Sequence, residues 1–143
     1  MLMGHKVLSS PDHNLAIYLM SGDVSLNDFL ACRKVAYKKG SNFASLNQLL
    51  VFEAASRSVF TANELRNFAR RGSGKKFGSV RIICAPSDLD FGMSRMLAAL
   101  RESSGDQYIV VRNIEEVGDA IGIPPEEVSA LLAGDGAELI AEG

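Results

Sequence analysis

Phe91 and Arg95 stand four residues apart, with Asp88 and Glu102 seven residues to either side of Arg95. On a helix this spacing sets an aromatic ring, a guanidinium and two carboxylates along one face. A guanidinium beside an aromatic ring near a helix start, at the C-terminal edge of a parallel sheet, can hold the anionic head group of a ligand. The simpler arrangement is Arg95 bridged to Asp88 or Glu102 on the surface, worth ~0.3–0.5 kcal/mol per pair. Met93 and Met96 interleave with this face, and their flexible thioethers suit either an adaptable apolar cavity or ordinary core packing. Phe91, Met93, Arg95 and Met96 therefore form the candidate ligand or partner contact. Gly92 lies among them; early in a helix it costs up to ~1 kcal/mol against alanine, which implies close approach of a neighbouring backbone or a ligand.

Other chemistry is poorly represented. Gly72-Ser73-Gly74-Lys75 looks like a phosphate loop, but Ala69 and Lys76 stand where such a loop needs glycine and a hydroxyl residue, and a strand pattern follows. His5 and His13 have no cysteine or carboxylate cluster at ligand spacing, so no metal is expected. Cys32 and Cys84 sit in apolar patterns without a C-x-x-C pair, there is no G-x-S-x-G elbow, and no enzymatic activity is expected. Arg66, Arg70, Arg71, Lys75 and Lys76 make a local basic run with little aromatic interleaving, which reads as a solvated helix end.

The chain has 143 residues, 47% of them hydrophobic and 22% charged, with a net charge of −2. These values fit one compact soluble domain and give no chain-wide attraction to nucleic acid or anionic lipid. The start, Met1-Leu2-Met3-Gly4-His5-Lys6, lacks a basic stretch leading into an apolar core of signal-peptide length. No apolar run reaches ~20 residues, so a cytoplasmic protein without integral membrane association is expected.

Short apolar runs alternate with runs of helical period, the pattern of an α/β fold. His5–Ser9 and Leu15–Ser21 are expected strands of a hairpin at one side of the sheet, joined by a turn at Ser10-Pro11-Asp12-His13-Asn14. Ser25 precedes a helical face of Leu26, Phe29, Leu30, Cys32 and Ala36, with Asp28 favouring the helix start and Gly40 as its stop. Leu46–Glu53 reads as a central strand covered on both faces. Thr61-Ala62-Asn63-Glu64 has the form of a capping box, opening a helix that runs to Arg71-Gly72. Ser79–Ala85 is a further strand, stopped by Pro86. Ser87 or Asp90 caps the next helix, whose stripe is Leu89, Met93, Met96, Leu97 and Leu100, and Gly105 ends it. Tyr108–Val111 is a fourth apolar strand in this series, and Ile114, Val117 and Ile121 repeat at helical spacing up to Gly122. Pro124-Pro125-Glu126-Glu127 opens a short helix that stops at Gly134, and residues 135–143 are expected to be loosely held.

Asp90-Phe91-Gly92-Met93-Ser94-Arg95-Met96, followed by Ile114-Glu115-Glu116-Val117 and Gly122, resembles the bacterial SpoIIAA-like proteins of the STAS/SEC14-like group. The likeness takes in Gly22, Ser25-Leu26, Asp28-Phe29 and Glu64-Leu65-Arg66, so it spans residues 5–122. The resemblance implies an α/β, STAS-like central mixed sheet of about five strands flanked by four to five helices. It implies a single domain with a C-terminal helical extension over 123–143. It further implies no chemical cofactor, and a regulatory or apolar-ligand-binding role with a protein partner or a second copy as a homodimer. A lipid-like or anionic small ligand near Phe91–Met96 is the alternative. The signalling members carry Asp-Ser-Ser/Thr-Gly where this chain has Glu53-Ala54-Ala55-Ser56-Arg57-Ser58-Val59-Phe60-Thr61. That motif is absent, which leaves Ser56, Ser58 and Thr61 as candidate modification sites, since a phosphate at a helix N-terminus meets free N–H groups.

Overall fold

The computed structural model describes residues 4–38, 42–70, 80–102 and 107–143. The expected stops at Gly40, Gly72 and Gly105, the glycine-lysine stretch 72–75, and Arg71, Lys75 and Lys76 of the basic run lie outside the described residues.

The first strands are β1 (His5–Ser10) and β2 (Leu15–Met20), joined by a 3-10 turn over Pro11–His13. The turn closes on Asn14 in the left-handed region, φ 54°, where a short polar side chain is tolerated. β3 (Asp23–Val24) leads into α1 (Leu26–Ala36); β4 (Asn47–Phe52) and β5 (Arg57–Ser58) precede α2 (Ala62–Arg70). β6 (Arg81–Cys84), α3 (Asp88–Glu102), β7 (Tyr108–Val111), α4 (Ile114–Ile121), α5 (Pro125–Leu132) and β8 (Glu138–Glu142) complete the chain.

Six strands form one mixed sheet in the order β7-β6-β4-β2-β1-β8, and β3 pairs with β5 in a separate small ribbon. β2, β4, β6 and β7 run parallel, while β1 is antiparallel to both β2 and β8. β4 and β2 occupy the middle of the sheet, as their uniform apolarity requires of strands covered on both faces. One face carries a core with Tyr18, Met20, Phe52 and Ile83 against Phe29, Leu65 and Leu97 of α1, α2 and α3. The other packs Ile17, Leu49, Val51 and Ile82 against Val117 of α4 and Val128 and Leu131 of α5. The architecture is thus α/β, with a six-stranded mixed sheet between helical layers.

Local capping explains where the helices begin. Ser25 N–H donates to Asp28 Oδ2 at 2.9 Å, holding the start of α1. At α2, Thr61 N–H donates to Glu64 Oε1 at 2.8 Å and Glu64 N–H donates to Thr61 Oγ1 at 3.1 Å, a reciprocal capping box. Asn113 accepts from Glu116 N–H at the start of α4, and Gly122 at φ 71° ends that helix.

One expectation is overturned. The N-terminal hairpin lies to one side of the sheet, but β8 covers it, and the C-terminal residues are not loose: β8 is a strand on the outer side of β1. Gly143 N–H donates to His5 O and His5 N–H donates to Gly143 O, each at 3.0 Å. Among the described residues β8 pairs with β1 alone, from the far end of the sequence, so no local pattern marks it. The C-terminal extension is therefore a helix followed by a strand. A register shift in the β1–β8 pairing and the flanking Glu138 and Glu142 disfavour further pairing at this edge.

Candidate functional site

The stripe expected on α3 packs on the core through Met93, Met96, Leu97 and Leu100 but not through Leu89, and two polar residues are buried beside it. Leu89 is 47% exposed, whereas Asp90, Ser94 and Leu97 face the core, Asp90 with no exposure at all. Ser87 Oγ accepts from Asp90 N–H at 3.2 Å, so Ser87 caps the helix and the Asp90 side chain is used elsewhere. Its carboxylate accepts from Ser56 Oγ at 2.7 Å, Ser58 Oγ at 2.6 Å and Ser58 N–H at 2.9 Å. Both serines are buried, and their hydroxyls are spent in tying the β4–α2 connection to α3. Thr61 is exposed, with its hydroxyl in the α2 capping box.

The expected contact set does not line the partly open cavity beside α3. Arg95 is exposed, its guanidinium carbon 6.0 Å from the Phe91 ring, while that of Arg112 stacks on the same ring at 4.0 Å. Asp88 pairs with Arg112, Nη1 to Oδ1 2.7 Å, rather than with Arg95. Met93 and Met96 pack half-buried against the core under α3. Gly92 has nothing within 4 Å of where a Cβ would stand, so no close backbone approach explains it.

A partly open cavity lies at the opposite end of the same helix, between α1, α2, α3 and the sheet, and measures about 120 Å³. Two rows of strand register build its floor. Gln48, Arg81 and Tyr108 stand side by side on β4, β6 and β7, and Tyr18, Leu50 and Ile83 form the next row on the same face of β2, β4 and β6. Phe29, Cys32, Ala36, Phe68 and Leu97 close the helical side. Leu50 sits on a central strand yet remains partly accessible, and among the described residues no side chain fills the space above it.

Three arginines contribute to the wall: Arg33, Arg81 and Arg101. Arg33 Nη2 donates to Phe68 O at 3.1 Å with its guanidinium carbon 3.7 Å from the Phe68 ring. Arg101 Nη1 donates to Ala69 O at 2.7 Å. Both satisfy carbonyls in the last turn of α2 and place positive charge at its negative end. Arg81, in contrast, projects from the sheet, 5% exposed, 5.4 Å from the Tyr108 ring centroid. Among the described lining residues none is acidic.

Burial holds the neutral forms in this wall. It pushes the Tyr18 phenol far above its usual range, and that hydroxyl donates to Gln48 Oε1. Gln48 Nε2 in turn donates to Phe43 O and Leu46 O, each at 2.9 Å. Burial first, and then the charge of Asp28, raises the Cys32 thiol to about 12. A thiol so raised is a weak nucleophile at neutral pH.

At the C-terminal strand ends, where parallel sheets commonly bind ligands, there is an open cleft bordered by Glu53, Pro86, Arg112 and Glu115. Arg112 is already held there by Asp88 and by Pro86 O at 3.2 Å. His5 Nδ1 lies 2.7 Å from Asp28 Oδ1, and His13 Nε2 lies 3.5 Å from Glu127 Oε2; each is a pair. Among the described residues, no group of three or more His, Cys, Asp and Glu side chains could hold a metal ion, and no helix is long and apolar enough to cross a membrane.

Sequence reasoning missed Arg33, Arg81 and Arg101 as a group. The available signal was Arg81, a lone charge inside the apolar run Val80-Arg81-Ile82-Ile83. Ser56 and Ser58 were identified for another role, and Asp90 only as a cap. No family model, no curated protein and no solved structure matches this chain.

Proposed function

We propose that the chain is a non-enzymatic regulatory module of the SpoIIAA-like, STAS-like kind, whose state is set by a small molecule held in the cavity between α1, α2, α3 and the sheet. The observation that carries this is Leu50, a central-strand residue left accessible at the floor of an apolar cavity of about 120 Å³. A well-packed sheet covers such a residue completely. The mixed sheet with helices on both faces supports the fold half of the reading. The raised Tyr18 and Cys32 groups support a binding role, because neither ionises readily enough for acid–base or nucleophilic work near neutral pH.

Native mass spectrometry of the protein purified from its own cells tests this. The expected result is an additional small-molecule mass on the intact chain that disappears in Leu50→Trp, which fills the cavity, and in the milder Ala36→Leu. A bare chain mass, together with a thermal midpoint unmoved by apolar molecules of single-ring size, overturns it.

A second reading, a contact with another copy of this chain, is favoured by one observation. Val59 and Leu89, 45% and 47% exposed, directly adjoin Ser58 and Asp90, which are hydrogen-bonded to each other. Sedimentation velocity should show a dimer that Leu89→Lys dissociates; a monomer at all concentrations rejects this reading.

A further inference from the structure

We infer that the cavity takes an uncharged aromatic molecule of a single ring, held by shape and ring contacts without a hydrogen bond to the protein. This rests on the reading that the cavity is a ligand site.

The polar groups of the wall are already engaged within the protein. The Tyr18 hydroxyl donates to Gln48 Oε1, and Gln48 Nε2 is shared between Phe43 O and Leu46 O. Arg33 and Arg101 donate to carbonyls of α2, and with Arg81 and Tyr108 they make further interactions within the chain. Among the described residues, no buried side-chain nitrogen or oxygen lacks a hydrogen-bond partner. An anion entering the cavity would have to draw an arginine away from its present partners, and burying a charge without such pairing is strongly unfavourable. A neutral polar group meets the same obstacle on a smaller scale, because its donors and acceptors would be desolvated without replacement. Water is poorly held for the same reason: a buried water needs about three polar partners.

What the wall offers a ligand is apolar and largely aromatic. Leu50 and Ile83 form the floor, and the rings of Tyr18, Phe29 and Phe68 border the space. Phe29 and Phe68 stand 5.6 Å apart between ring centroids with their planes inclined at 56°, a packing that another ring can extend by presenting its edge. Volume sets the size. The cavity of about 120 Å³ is slightly smaller than the ~150 Å³ known to hold one benzene, which limits the occupant to a single ring.

Calorimetric titration of the intact protein with benzene, cyclohexane, benzamide and benzoate tests the assignment. Benzene should bind. Benzamide should be weaker by roughly 10- to 100-fold, the range for burying an amide without a partner, and benzoate weaker still. Cyclohexane should be weaker than benzene by about 2- to 10-fold, as expected for losing the ring–ring contacts. Leu50→Trp should abolish benzene uptake and the milder Ala36→Leu should weaken it. The comparison of the four compounds needs no substitution, so it stands even if neither variant folds. Benzamide or benzoate binding as tightly as benzene, and lost in Ala36→Leu, overturns the uncharged apolar class while leaving the cavity as a ligand site. Cyclohexane binding as tightly as benzene overturns the aromatic class. Benzene uptake unchanged in both variants places it elsewhere on the protein and overturns the assignment. No uptake of any of the four overturns the assignment and counts against the cavity reading as well.

Discussion

Asp90 and Ser58 are joined twice: the Asp90 Oδ1 atom accepts the Ser58 hydroxyl at 2.6 Å and the Ser58 backbone N–H at 2.9 Å, across thirty-two residues of sequence. With Ser56 on the other carboxylate oxygen, one buried side chain fixes the β4–α2 connection to the first turn of α3. Asp90→Ala leaves three buried donors without their acceptor, and an unsatisfied buried donor costs about 1–3 kcal/mol. Urea unfolding should show a loss of about 3 kcal/mol or more. A double-mutant cycle with Ser58→Ala should return a coupling of at least ~1 kcal/mol. Ser58→Glu should cost more than Ser58→Ala, because it sets a second carboxylate against the first; equal losses would show that the two groups do not face each other in solution.

Gly92 and Gly118 should respond with opposite sign to alanine. A Cβ on Gly92 meets open space within α3, so Gly92→Ala should raise stability by ~0.5–1 kcal/mol through helix propensity alone. A Cβ on Gly118, inside α4, would stand 2.6 Å from Ile123 O, a backbone atom that cannot turn away. The expected loss is about 1–2 kcal/mol, allowing for the propensity gain. Thermal denaturation of both variants is sufficient to check this.

The two thiols make stability fall at alkaline pH. Burial raises Cys84 to about 11, with Glu116 and Glu115 adding to it, and raises Cys32 to about 12, against an ordinary thiol value of 9.0. Below 9 both folded and unfolded chains hold these protons and the contribution is constant. Above it the unfolded chain releases them first, so stability is lost as pH rises from about 9 towards the folded values. Chemical unfolding across that window should fall more steeply in the parent protein than in Cys32→Ala. Neither thiol should react rapidly with a disulfide reagent at pH 8, and prompt reaction of Cys32 would refute its burial.

β8 shields β1 from solvent and from other chains. Deleting residues 138–143 exposes the outer backbone groups of β1, including the two bonds between His5 and Gly143. The shortened chain should lose about 2 kcal/mol or more, at ~1 kcal/mol per lost hydrogen bond, and should scatter light on concentration as an unprotected edge pairs with its neighbours. Unchanged stability and clear solutions would show that β8 contributes neither.

What the amino-acid sequence determined by itself is what depends on neighbours along the chain. The Thr61–Glu64 capping box, the Asp28 start of α1, the stop at Gly122 and the central strand around Leu49–Phe52 were all legible. Caps act within one turn and strand burial is written in a run of side chains. Tertiary structure alone decided which of the helical residues turned inward. Met93, Met96, Leu97 and Leu100 pack on the core, as a hydrophobic stripe requires, but α3 exposes Leu89 and buries Asp90 and Ser94. The sequence cannot favour a buried carboxylate until two serines from a distant loop are brought to satisfy it. The same holds for the cavity, whose Gln48, Arg81 and Tyr108 become neighbours only through strand register, and for β8, whose partner strand lies at the other end of the chain. In each case the deciding interaction is a long-range pairing whose free energy appears only once the sheet has assembled.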